Sequence, residues 1–175
     1  MTREQAWQIV CDHTPSDSLR RHMLGVEACM RWYAAKLGED VEQWGLAGLL
    51  HDFDYEQHPD EHPKWGIAHL RERGVDETVL NAIAAHYPEF TGVEPTAPIE
   101  RYLYACDELS GFITAVTYVR PSRNIADVEV KSVLKKLKTP AFAAGVDRGI
   151  VERGYELIGL APEEHIANLL SAMQA

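Results

Sequence analysis

The sequence predicts an all-α fold: one helical bundle with a helical C-terminal extension. Three observations carry that reading. Apolar residues recur at steps of three and four along nearly every segment, residues that start helices precede these stripes, and no run alternates with the period of two that a half-buried strand requires. The chain has 175 residues, 46% of them hydrophobic, which suits a single core. One domain is expected over 1–175, with the principal core at about 16–119 and further helices over about 120–175. Neither an internal repeat nor a low-complexity segment interrupts it.

Thr2 and Gln5 form a capping box that opens the first helix, through about Asp12. Pro15 breaks the chain, and Ser16 caps a second helix. Its stripe is Leu19, Met23, Val26, Met30, Tyr33 and Leu37, and Gly38 ends it. Asp40 and Gln43 open a third helix, through Trp44, Ala47 and Leu50. Pro63 suits the first position of a fourth, Lys64 to Arg73, stopped by Gly74. Asp76 caps a fifth, with Val75 and Leu80 as its hydrophobic staple and Leu80, Ile83 and Tyr87 on its buried face. "EFTGVEPTAP" reads as a loop. A long sixth helix follows, Ile99 to about Val119, with Leu103, Cys106, Ile113 and Val116 inward. After "RPSRN", Ala126 to Lys138 reads as a seventh. Another helical stretch is predicted from Thr139-Pro140 through Ile158. Pro162 opens the last helix, with Ile166, Leu169, Leu170 and Met173 inward.

Composition narrows the class. The net charge is −10, so long-range steering of a nucleic-acid polymer is repulsive, and no such partner is expected. A small anionic substrate remains compatible if local cations, above all a metal, receive it. Cys11, Cys29 and Cys106 lie far apart without a CxxC, against a disulfide framework and a thiolate zinc site. The opening MTREQAWQIV is charged and has neither a leader's apolar stretch nor a span's length. A cytoplasmic protein without a membrane partner is the expectation; the oligomeric state is not legible.

Several polar residues fall on faces that should be buried. His22 lies between Leu19 and Val26 on the second helix. Asp107 is four residues past Leu103, and His86 three past Ile83. His51-Asp52 ends the third helix after Leu49-Leu50. Between His51 and His62 stand eight acidic or imidazole side chains, including three of the chain's eight histidines. Ionised carboxylates facing a core are costly unless paired or bound to a metal. Imidazoles and carboxylates on inward faces of different helices therefore point to a shared divalent ion. Successive helical residues diverge by about 100°. His51 and Asp52 can accordingly grip one ion from two directions, or Asp52 can bridge two. A mixed imidazole and carboxylate set suits Mn, Fe, Co, Ni or Zn, with Mg as a further candidate.

In order and helical context, His22, His51-Asp52 and Asp107 resemble the H…HD…D pattern of the HD-domain superfamily of metal-dependent phosphohydrolases. The resemblance covers about Ser18 to Ser110, in "LRRHMLGVEA", "AGLLHDFDYE" and "LYACDELSG". "HPKWGIAHL" is similar to the HPxxGA turn of two-metal members and implies His62 as a ligand; "NAIAAHYPE" likewise implies His86. One departure stands out. Many two-metal members read HDxGK, with a lysine at the phosphate, whereas this chain reads His51-Asp52-Phe53-Asp54-Tyr55. Cyclic-dinucleotide activity is therefore not carried over.

The resemblance implies a metal-dependent phosphohydrolase acting on a small phosphorylated substrate, a nucleotide or other phosphoester. One or two ions would be held by His22, His51, Asp52 and Asp107, with His62 and His86 serving the second. Asp52 would position or bridge, and Asp54, or else Glu56, would take a proton from water. Arg21 and Arg120 are the phosphate candidates. The same six-ligand set also resembles HD-fold di-iron oxygenases, and a non-catalytic metal-stabilised sensor or scaffold is the third reading. His58 and His69 are expected at the surface.

Overall fold

The computed structural model describes residues 1–175. Ten α-helices and one 3₁₀ turn follow in order, with no strand: α1 Arg3–His13, α2 Asp17–Leu37, α3 Val41–Leu50, α4 Lys64–Glu72, α5 Glu77–Ala85, α6 Pro88–Thr91, α7 Pro98–Tyr118, the 3₁₀ turn Ile125–Asp127, α8 Val130–Leu137, α9 Arg148–Ile158 and α10 Pro162–Gln174. The start signals act as their chemistry requires. Thr2 and Gln5 exchange both bonds of the capping box, Ser16 accepts from Leu19 N, Asp40 from Gln43 N, and Asp76 from Thr78 N. Val75 and Leu80 of the staple are both buried.

The long helices α2 and α7 form the spine, α2 packed along α3 and α7 along α9. Two glycines allow the close approaches. A Cβ at Gly48 of α3 would lie 2.9 Å from the Glu27 backbone of α2. One at Gly154 of α9 would lie 3.0 Å from Ala105 Cα of α7. The first approach brings the end of α3 against α2; the second brings α9 onto α7. One apolar cluster continues from Ala6 and Val10, through Met23, Leu50, Leu103 and Phe112, to Ile166 and Leu169. Two polar side chains in this interior are satisfied locally. Glu27 is clasped by Arg3 and Arg31, and the His165 imidazole lies 2.6 Å from Tyr33 Oη and 2.9 Å from Ala105 O. Burial pushes the His165 pKa down to about 4, as expected of a neutral core histidine.

Four expectations need correction. The stretch 140–147 is a run of turns, and α9 begins only after Asp147, which caps it. The Arg148 guanidinium donates to the carbonyls of Leu137, Thr139, Phe142, Ala143 and Val146, so those carbonyls serve one cation instead of a helical ladder. The predicted helix from Ala126 is split, because Val128 is extended (φ −85°, ψ 123°) and buried. "EFTGVEPTAP" opens with the tail of α6, closed by Gly92 at φ +72°. Tyr87 lies beyond the end of α5 and is 43% exposed, not inward.

Candidate metal centre

Two of the histidines are helix-end residues. His51 follows α3 and His86 follows α5, each with helical backbone angles. The last carbonyls of a helix lack intrahelical partners. His51 Nδ1 donates to Gly48 O at 2.7 Å, and His86 Nδ1 donates to Ile83 O. Each ring thus closes its own helix end, and the contact fixes its tautomer: a carbonyl only accepts, so Nδ1 carries the hydrogen. Nε2 is then aimed away from the helix with a free lone pair. His62 is oriented by a carboxylate instead, its Nδ1 lying 2.6 Å from Asp54 Oδ1. Asp54 Oδ2 accepts from Gly66 N at 2.7 Å, on the first turn of α4.

The Nε2 atoms converge in two nests that share Asp52. In the first, Asp52 Oδ2 is 3.3 Å from His51 Nε2 and 3.5 Å from His22 Nε2, while Asp107 Oδ1 is 2.9 Å from His22 and 3.3 Å from His51. In the second, Asp52 Oδ1 is 3.2 Å from His62 Nε2 and 3.3 Å from His86 Nε2. Within each nest the donor atoms all lie within 4.8 Å of one another. Five separate chain segments thus supply the six residues, and each oxygen of Asp52 serves a different nest.

The donor chemistry fits divalent cations. With Nδ1 protonated, His51 presents a lone pair to two carboxylate oxygens and to His22 Nε2, which is 3.3 Å away. Acceptors so gathered need positive charge between them. Protons supply it when no metal does. Burial opposes charge on His22, but its bonds to Asp107 and Asp52 outweigh that and push its pKa up to about 9. His62 is likewise raised to about 9 against the cost of burial, by Asp52 and Asp54. His51, though buried, is held well above its ordinary value by Asp52 and Asp107. Asp52 in turn is held well below the usual carboxylate range, burial notwithstanding, chiefly by His51. Asp107 is lowered in the same way.

Both nests open onto one cavity of about 350 Å³. Tyr55, Tyr87 and Tyr104 stand in its wall, and Val146 and Ile150 close it from the α9 side. Glu108 also faces it. Burial, then the charge of Asp107, pushes that carboxyl up to about 7, so it titrates around neutrality. No lysine or arginine lines the cavity, so the lysine role absent from the sequence is not filled by another cation.

The residues singled out in the sequence thus fall into two groups. His22, His51, Asp52, His62, His86 and Asp107 come together. Asp54 does not face the cavity: both its oxygens are engaged, one by His62 and one by Gly66, so it orients a ligand and has no oxygen open for a proton from water. Arg21 and Arg120 line other depressions. His58 and His69 both stack on Trp65, at centroid distances of 3.8 and 4.8 Å, outside both nests and only partly exposed. Sequence reading missed Glu108 and the support of Asp54 by Gly66. A glycine in the first turn after His62-Pro63 was the available signal for the latter, since a Cβ there would lie 2.8 Å from Asp54 Oδ2.

Known proteins resemble the chain in sequence. The sequence profile of the HD domain family matches residues 19–111, just over half of the chain. Ribonuclease Y 2 of Levilactobacillus brevis is 30% identical over 135 residues, 75% of this chain and 23% of that protein. Ribonuclease Y of Staphylococcus epidermidis is 34% identical over 94 residues, 51% of this chain and 17% of the relative. Ribonuclease Y of Chlorobaculum tepidum is 29% identical over 146 residues, 78% and 27% respectively. The chain spans less than a third of the length of each. No solved structure gives a significant match. No helix is long and apolar enough to cross a membrane.

Proposed function

The chain belongs to the HD domain family, and from that membership and the paired nests we propose that it is a metal-dependent hydrolase of a small phosphorylated substrate, a nucleotide or another phosphoester. The observation that carries the proposal is Asp52, whose two oxygens face two separate sets of imidazoles. Such a carboxylate suits a pair of divalent ions, which His22, His51 and Asp107 would hold on one side and His62 and His86 on the other. Ions held there would supply Lewis acidity and a water of lowered pKa.

The chain's own groups do the rest. The Nδ1 contacts of His51, His62 and His86 keep the nests rigid, so little reorganisation is needed when charge develops. The apolar side chains of Leu19, Val146 and Ile150 thin out water around the reacting phosphoryl group. With no cationic side chain in the cavity, substrate charge must be met by the metal sites themselves, which favours a compact phosphoester there.

The relatives are named as ribonucleases, so an RNA phosphodiester belongs among the substrates tried. The test is phosphate or nucleotide release from a panel of mononucleotides, phosphodiesters and short RNA, with Mn, Co, Ni, Mg, Zn and Fe supplied in turn to chelated protein. Turnover with at least one pairing, lost in His51→Ala, is expected. Metal loading without turnover on any substrate would favour the scaffold reading. Iron-dependent consumption of dioxygen without hydrolysis would favour the oxygenase, because this donor set also suits iron.

A further inference from the structure

A second groove, of about 550 Å³, lies between α2, the end of α7 and the end of α10. It shares no lining residue with the metal cavity. Its charge is what sets it apart. The chain carries ten more acidic than basic side chains, and most of its arginines are engaged. Arg3, Arg31, Arg71 and Arg153 pair with carboxylates. Arg20, Arg73, Arg101 and Arg148 donate to backbone carbonyls. Arg21, Arg120 and Arg123 belong to neither group, and two of these three, Arg21 and Arg123, line this groove. Arg120 instead opens onto a depression that also holds Asp127 and Glu129.

Tyr118 lines the same groove, 50% exposed, and its hydroxyl accepts from Arg21 Nη1 at 3.3 Å. Arg123 holds φ +50°, a backbone region that glycine or asparagine occupies at lower cost. Asn124 accepts from Ala126 N through Oδ1, which leaves its amide hydrogens to donate elsewhere. Leu24, Gly25 and Met173 contribute apolar lining.

We propose that this groove is a nucleotide-binding site separate from the metal centre, with Arg21 and Arg123 holding the phosphate and the Tyr118 ring stacking the base. Guanidinium forks match phosphate oxygens in pairs, and an aromatic face accepts any base without reading its edge. A groove of this volume is within the range of small-molecule sites. The net charge of −10 opposes a polymer and does less to a mononucleotide with few charges, so the free nucleotide is the favoured occupant over a residue of an RNA strand. The site does not depend on the proposed hydrolysis.

The experiment uses the full chain in excess chelator, so that no bound metal can hold the ligand, and the arginine variants separate this groove from the nests. Calorimetric titration with adenylate should show one binding event, with inorganic phosphate and adenosine each about tenfold weaker or worse, since each lacks one of the two contacts. Arg21→Ala and Arg123→Ala should each weaken adenylate about tenfold, and Tyr118→Leu should weaken adenylate but not phosphate. All three side chains are exposed or partly so, and circular dichroism of each variant confirms the fold. A parallel titration with a labelled six-residue single-stranded RNA separates the sources: RNA binding lost in the arginine variants, without adenylate binding, would support the site with a strand as its occupant. Adenylate and RNA both failing to bind, or binding equally well to the Arg21→Ala/Arg123→Ala double variant, would overturn the assignment.

Discussion

Asp52→Asn is the most informative perturbation, because one side chain serves both nests. Asparagine keeps the shape but has one carbonyl oxygen and one NH₂ group. Whichever way it turns, one nest receives an uncharged oxygen and the other a pair of hydrogens. The wild-type carboxylate stands 3.3–3.5 Å from His51 and His22 on one side and 3.2–3.3 Å from His62 and His86 on the other. Loss of a charged contact of this kind is worth about 1.5–3 kcal/mol at each nest, or about tenfold to a hundredfold in each dissociation constant. Calorimetric titration of chelated protein with Mn, checked by elemental analysis after gel filtration, should give two equivalents for the wild type and weakened binding of both in Asp52→Asn. Asp107→Ala should lose the equivalent on the His22 side alone, and His86→Ala the other alone. Two equivalents bound to Asp52→Asn at wild-type affinity would refute the shared carboxylate. One equivalent in the wild type, unchanged in His86→Ala, would refute the second nest.

Three other predictions test parts of the same picture. Gly66→Ala places a Cβ 2.8 Å from Asp54 Oδ2 and should push Asp54 from His62, weakening only the His62/His86 equivalent about tenfold to a hundredfold, as loss of an orienting partner does; unchanged titration would show that Asp54 does not set that ring. Gly48→Ala meets the Glu27 backbone at 2.9 Å and should destabilise the chain by about 1–3 kcal/mol in urea unfolding, since α2 and α3 must separate; wild-type stability would mean the approach is not tight. In chelator, His22 and His62 have folded pKa values of about 9 against an ordinary 6.5. Raised values stabilise fully below 6.5, and that contribution is lost as pH rises through about 9, so the melting temperature of the metal-free protein should fall across that window. Added metal should oppose the fall, because deprotonated imidazoles bind it better at higher pH; a melting temperature flat from pH 6.5 to 9 in chelator would contradict the proton-filled nests.

How much of this was legible in the sequence depends on where each signal lives. His22 and Asp107 were readable because a helix's period fixes the face on which a residue sits, and both positions fall on stripes otherwise filled by Leu19, Val26 and Leu103. His51 was readable as the end of α3 and His86 as inward, but not that each Nδ1 bonds back to a carbonyl of its own helix; for His86 that depends on where α5 stops, which periodicity does not fix. Asp54 was placed wrongly for a related reason. Nearness in sequence to His51-Asp52 made it look like a group at the reacting centre, whereas a run of turns carries it behind His62, where Gly66, twelve residues on, takes its second oxygen. Glu108 gave no signal at all, since one step along a helix from Asp107 ordinarily means a different face; only the turn before α9, bringing Val146 over α7, makes that face a cavity wall. The error at 140–147 has the same origin. Ala141, Ala143 and Ala144 favour a helix and Phe142 does not forbid one, yet the segment curls around the Arg148 guanidinium, whose bonds to five carbonyls hold it as a run of turns. Periodicity therefore located the residues that each helix presents by itself. The residues whose roles arise from one segment meeting another, Asp54 at Gly66 and Glu108 beneath α9, required the packed chain.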